Sequence, residues 1–243
     1  MNARPSLRVG DVLNEVFALY RECFGVLIPT AFWLFLAASI LAGIAGNSFV
    51  LAAIAGILAL AIGTLYQGMV VSLVAAKRAG QAEPSVRELF ASVSPVLPTL
   101  LITSVLAAIG VFAGFLFFIV PGCILLTIWA VIAPAVVIER RDVSGAFNRS
   151  QALVRDFGWP VFGATITAAL IAGIAAIVLG SIGESIAGGP FLRIVFSALA
   201  ATFAAPITAL VAAVLYYRLL AIKGDTSGAD TDPLMPPPLD PNR

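Results

Sequence analysis

Charged residues fall into clusters along this chain, and long apolar windows separate the clusters. No charged residue occurs between Glu22 and Lys77 or between Glu88 and Glu139, and from Phe157 to Tyr217 only Glu184 and Arg193 intervene. A transmembrane helix needs about 20 predominantly apolar residues, so each window is long enough to cross a bilayer twice. The windows predict three helical hairpins, with spans at 24–46, 50–76, 96–116, 120–138, 159–181 and 194–220. Within hydrocarbon every backbone polar group must be paired internally, which leaves helices or a closed barrel. Long Ala, Leu, Ile and Val runs without period-two alternation exclude the barrel. The predicted fold class is all-α, an integral membrane bundle of six transmembrane helices arranged as three hairpins.

The segments between the windows also carry helical patterns. In 142–157, Val143, Ala146, Phe147, Leu153, Val154 and Phe157 recur at helical spacing, while Asn148, Arg149, Gln151, Arg155 and Asp156 take the other face. Asp142 stands where it can cap this helix. In 85–94, Ser85 and Glu88 have the spacing of a capping box, and Val86, Leu89, Phe90 and Val93 make an apolar stripe. The segment 11–22 repeats the pattern with Val12, Leu13, Val16, Phe17 and Tyr20. Each hairpin is thus preceded by an amphipathic helix expected to lie at the membrane surface. The order of surface helix, turn and hairpin suggests an internal repeat, strengthened by the echo of Arg21-Glu22-Cys23-Phe24-Gly25 in Arg155-Asp156-Phe157-Gly158. Compositional likeness among short linkers is the alternative.

Composition supports the membrane class. The chain is 60% hydrophobic and 11% charged, against roughly 45–50% and 25% in soluble domains. Its net charge of +1 points to no nucleic-acid partner. Of its fourteen Lys and Arg, all but Arg193 fall before the first span, between the second and third, between the fourth and fifth, or at and beyond the end of the sixth. Basic residues accumulate on the cytoplasmic side, so both termini are expected there, in a bacterial cytoplasmic membrane. Asp11, Glu15 and Glu22 follow Arg4 and Arg8 where a cleavable signal would place its apolar region, so the first span is expected to direct its own insertion. Cys23 and Cys123 are expected on opposite faces, giving neither a disulfide nor a metal pair. No cofactor is implied. Residues 224–243, with Asp225, Asp230, Asp232, Asp240 and a Pro236-Pro237-Pro238 run, read as a disordered cytoplasmic tail.

Small residues at four-residue spacing mark helix contacts, because apolar side chains gain nothing by leaving lipid for each other. Ala55, Ala59 and Gly63, Gly110 and Gly114, Ala168, Ala172, Ala176 and Gly180, and Ser197, Ala201, Ala205 and Ala209 form such ladders. Their plainer role is packing within the chain, with homo-oligomerisation through Gly110 and Gly114 left open. No carboxylate lies in a predicted span and the chain has no histidine, which argues against a proton relay. Gln67 is the best intramembrane polar candidate, its amide suited to bonding across a helix pair or contacting a substrate. Pro121 and Gly122, Pro134 and Pro206 are candidate hinges, since proline frees a carbonyl and kinks a helix. Pro29 adds a break early in the first span.

Catalytic sequence patterns such as HExxH, GxSxG and the Walker sequence are absent, so no enzyme activity is expected. The densest charge cluster is Glu139-Arg140-Arg141-Asp142, suited to anchoring a span at the interface or holding a phosphate headgroup. With Arg149, Ser150 and Arg155 it makes up the candidate contact set for lipid or a protein partner.

The stretch Pro121-Gly122, Trp129, Pro134, Glu139, Ala146, Arg149-Ser150, Leu153 and Phe157, with Val9-Gly10-Asp11-Val12-Leu13, Tyr20-Arg21 and Phe24-Gly25, resembles the glycerophosphoryl diester phosphodiesterase membrane-domain family and related bacterial multi-pass proteins. That resemblance implies a six-span module, in some members fused to a soluble phosphodiesterase barrel. This chain has no room for the barrel and none of its acidic metal ligands, so the resemblance implies no phosphodiesterase activity. The expected function is a non-enzymatic membrane module that engages lipid, or a membrane or cytoplasmic protein partner, at its cytoplasmic face. The alternative is a transporter or flippase for an uncharged or amphipathic small molecule.

Overall fold

A computed structural model describes residues 7–46, 48–186 and 189–227. All regular structure among them is helical, in the order α1 (Val9–Glu22), α2 (Phe24–Ala45), α3 (Phe49–Arg78), α4 (Val86–Val93), α5 (Leu97–Phe117), α6 (Ile119–Ile128), α7 (Ile132–Val137), α8 (Val143–Val154), α9 (Gly158–Ile186) and α10 (Pro190–Ser227). Six stretches are long and apolar enough to cross a membrane: α2, α3, α5, Ile119–Val137 across α6 and α7, Gly158–Gly183 in α9 and Phe191–Gly224 in α10. The protein is an all-α, multi-pass membrane bundle.

Local chemistry explains the shorter helices. Ser85 accepts from the Glu88 N–H at 3.3 Å and the Glu88 carboxylate accepts from the Ser85 N–H at 2.8 Å, closing the capping box that starts α4. The Asp142 carboxylate accepts from the Gly145 N–H at 3.2 Å and starts α8. Their apolar stripes turn inward in part: Val12 and Val16 of α1, Leu89 and Val93 of α4, and Ala146, Leu153 and Val154 of α8 are buried in the main core, while Phe17 of α1 and Val86 and Phe90 of α4 are exposed.

α10 is the central element, packing against α9, α2, α3, α1, α7 and α8. It has 38 residues, or about 57 Å at 1.5 Å per residue, nearly twice the roughly 30 Å of bilayer hydrocarbon. Its apolar window is 67% buried, whereas that of α3 is 17% buried. The three hairpins therefore share an order of elements without sharing a packing environment.

Two expectations need correction. Residues 224–227 belong to the final turns of α10, not to the tail; the rest of that segment, 228–243, lies outside the described residues. The fourth span is not one helix, because residues 129–131 form a turn between α6 and α7. Pro134 supplies the reason: it has no N–H to bond the Ala130 carbonyl, and its ring clashes with that carbonyl. The hydrogen-bond ladder loosens accordingly, with Ala130 N–H donating to the Thr127 carbonyl and Ile132 N–H to the Trp129 carbonyl, each at 3.3 Å.

Candidate functional site

The break in the fourth span organises one end of the bundle. Ile132 bonds three residues back rather than four, which releases the Ile128 carbonyl from the helix ladder. The buried Ser150 hydroxyl of α8 donates to that carbonyl at 2.7 Å. Ser150 thus does not lie on the outward face with its neighbours; its hydroxyl ties α8 to the C-terminal end of α6. Close backbone approach holds the other end of this hairpin. A Cβ on Gly114 would lie 2.9 Å from Gly122 Cα, and one on Gly110 would lie 2.5 Å from the Trp129 ring. The Gly110 and Gly114 pair is filled within the chain. The Trp129 ring meets Phe147 of α8 edge-on, with centroids 5.0 Å apart.

Just beyond α7, Glu139 gathers three donors. Its Oε1 accepts from Arg149 Nε at 2.7 Å and from the Tyr216 hydroxyl at 2.6 Å, and its Oε2 accepts from Arg141 Nε at 3.0 Å. The side chain is only 16% exposed. Burial opposes ionisation, but the bonds from Tyr216, Arg149 and Arg141 together outweigh it and hold the carboxyl below its ordinary value. Between Glu139 and Arg141, Arg140 takes a left-handed backbone with φ 52° and an exposed side chain. A left-handed residue of this kind commonly ends a helix, though usually it is glycine.

A second cluster lies alongside. Glu15 of α1 pairs with Arg78 at the end of α3 and with Arg218 Nε of α10, the latter at 2.7 Å. Arg218 also donates to the Asp11 carbonyl at 2.9 Å. The Arg78 guanidinium sits 5.1 Å from the centroid of Tyr217, within cation–π range. Tyr216 and Tyr217 touch edge-on with centroids 5.5 Å apart. Consecutive residues of α10, Tyr216, Tyr217 and Arg218, thereby join the Glu139 and Glu15 clusters. These contacts put the ends of α3, α7 and α10 with α1 and α8 at one charged end of the molecule.

The remaining carboxylates at this end are largely satisfied. Glu22 and Glu83 lie 2.8 and 3.6 Å from Lys77, and Asp156 lies 3.2 Å from Lys223. Five exposed arginines, Arg8, Arg21, Arg87, Arg140 and Arg155, have no ion-pair partner among the described residues.

A groove of about 730 Å³ opens between α6, the end of α8 and the start of α9. Cys123, Ile124 and Thr127 line its α6 wall, and Gln151, Arg155, Asp156 and Trp159 line its polar rim. Of the other intramembrane candidates, Pro121 and Gly122 sit in the first turn and a half of α6, with Gly122 buried where a Cβ would lie 2.5 Å from Phe115. Pro206 is buried inside α10. Gln67 is half-buried, does not line the groove, and makes no side-chain hydrogen bond to a described residue, so the expected amide bond across a helix pair is not formed. Tyr66 forms an interhelical bond one residue earlier, its hydroxyl donating to the Leu27 carbonyl at 3.3 Å.

No protein-family model, curated protein or solved structure matches the chain. Of the residues picked from sequence, the structure brings Glu139, Arg141 and Arg149 together, buries Ser150 against the end of α6, and leaves Arg140 and Arg155 outward. Sequence reasoning missed Glu15, Arg78, Tyr216, Tyr217 and Arg218 as members of the site. The available signal was the Tyr-Tyr-Arg run where the last apolar window meets charge, the place where interfacial aromatics concentrate.

Proposed function

We propose that the protein is a non-enzymatic membrane module of the bacterial cytoplasmic membrane, oriented with both termini and its charged end in the cytoplasm. In this reading its amphipathic helices and ion-pair clusters form a rigid collar that engages the anionic surface of the cytoplasmic leaflet. The observation carrying the proposal is the sign of the charge left outward. Most collar carboxylates are taken up by ion pairs or helix caps, while Arg8, Arg21, Arg87, Arg140 and Arg155 remain exposed without a described ion-pair partner. Each basic residue close to an anionic leaflet contributes about 1 kcal/mol. The stand-alone members of the family the sequence resembles offer a parallel for such a module.

Electron spin resonance of spin-labelled lipids around the reconstituted protein tests this reading. Phosphatidylglycerol should associate more strongly than phosphatidylcholine, and the preference should fall as salt screens it. The combined variant Arg21→Gln, Arg87→Gln, Arg140→Gln should lose most of that preference. Equal association of the two lipids with the unmodified protein at low ionic strength would overturn the reading and leave a protein partner as the occupant of the collar.

A further inference from the structure

We propose that the groove between α6, the end of α8 and the start of α9 binds one anionic phospholipid, with its phosphate at Arg155 and an acyl chain along α6. This rests on the lipid-engaging reading of the charged end and narrows it to a single site.

Shape and location select a lipid. The groove holds about 730 Å³, within the roughly 300–1,000 Å³ typical of ligand sites. Its walls belong to two membrane spans, and the α6 residues facing outward are open to the bilayer, with Ile119 74% and Ile124 51% exposed. α6 has 10 residues and so runs about 15 Å, half of the roughly 30 Å hydrocarbon thickness. One acyl chain can lie along that length. The α6 wall is apolar, apart from a thiol and the Thr127 hydroxyl, which donates to its own helix at Cys123 at 2.7 Å.

Charge selects the headgroup. The Ser150 bond to Ile128 puts α8 at the C-terminal end of α6, so the polar rim gathers at that end of the groove and Ile119 lies at the other. Two charges line the rim, Arg155 and Asp156. Asp156 pairs with Lys223 at 3.2 Å, and Lys223 also donates to the Ala152 carbonyl. Arg155 has no ion-pair partner among the described residues. The charge at the mouth that remains uncompensated is therefore positive, and a guanidinium presents a fork of donors that fits phosphate oxygens. Trp159 is 84% exposed beside it, the disposition of an interfacial tryptophan whose indole N–H seeks a headgroup acceptor. Arg21, Arg87 and Arg140 are also outward but do not line the groove.

Native mass spectrometry of the delipidated full chain, titrated with phosphatidylglycerol or phosphatidylcholine, tests the site. The unmodified protein should show one saturable phosphatidylglycerol adduct that phosphatidylcholine forms more weakly. Arg155→Gln should weaken the phosphatidylglycerol adduct about fivefold and abolish the discrimination. Cys123→Phe should fill the α6 wall and remove the adduct of either lipid, while Arg193→Gln, an exposed arginine outside the groove, should leave it unchanged. Helicity and thermal midpoint, measured on each variant, separate lost binding from lost folding; exposed Arg155 makes its variant the safer of the two. Equal adducts of the two lipids on the unmodified protein would overturn the proposal, as would full-strength phosphatidylglycerol binding by folded Arg155→Gln. Glycerol phosphate binding as tightly as the whole lipid would also overturn it, because the apolar wall would then be idle. Retention of the adduct alongside lost boundary-lipid preference would sink the collar reading alone, and the reverse result would sink the groove alone.

Discussion

Glu139 shows how a single side chain is set by competing physical effects. Removing a carboxylate from water favours its neutral form, yet a largely buried carboxylate that accepts from two arginines and a tyrosine hydroxyl is better off charged. The donors prevail, and the carboxyl titrates below its ordinary value of 4.5. A carboxyl lowered on folding binds its proton more tightly in the unfolded chain. Its contribution to stability is therefore complete above the ordinary value and is lost as pH falls through the lowered one. Thermal midpoints of the protein in detergent should hold steady from neutral pH to about pH 5 and fall below that. Glu139→Gln should cost about 2 kcal/mol at pH 7, since one charge is removed from a partly buried network, and should flatten part of the acid decline. An unaltered midpoint in Glu139→Gln at pH 7 would show that the cluster adds nothing to the fold. The sequence drew notice to Glu139 and Arg149 through their charge, ten residues apart. Tyr216 lies 77 residues away, and nothing local encodes that meeting.

At the level of elements, the fourth span shows how far a proline can be read. Pro134 marks a disturbance from sequence alone, but the turn falls ahead of it, at 129–131, because the lost bond and the steric clash both act on the carbonyl four residues earlier. The remedy could not be read in advance. The Ile128 carbonyl is released in one helix, and the hydroxyl that satisfies it comes from Ser150, a position whose neighbours Arg149 and Gln151 suggested a surface role. An unsatisfied buried carbonyl costs about 1–3 kcal/mol. Ser150→Ala should lose about that much stability, and hydrogen exchange should quicken in α7 and α8 while staying slow in α2 and α9. Uniform exchange across all four helices would mean that Ser150 does not hold the break. By contrast, the starts of α4 and α8 were fully legible, because Ser85, Glu88 and Asp142 act on backbone groups no more than three residues away.

For the whole molecule, hydropathy tells which segments leave water but not which leave lipid. The windows of α2 and α10 have the same mean hydropathy of 2.1, yet they are 22% and 67% buried inside the protein. Apolar residues are equally at home against lipid tails and against other helices, so the central place of α10 left no mark on the pattern. Orientation is a different matter, because it depends on charge, and charge is legible. Among the described residues every Lys and Arg but Arg193 flanks the charged-end termini of the spans, and the orientation proposed above rests on the positive-inside bias of that charge. Reporter domains inserted after Gly80, in the exposed turn following α3, and after Gly189, between α9 and α10, test the assignment. A fluorescent protein active only in the cytoplasm should light at Gly80 and stay dark at Gly189, and a phosphatase active only outside should do the opposite. The reversed pattern, or equal signal from each site, would move the collar and its arginines away from the leaflet whose charge they complement. Removing the lone opposing cation with Arg193→Gln should leave the pattern unchanged, because the basic residues of the other end still decide it.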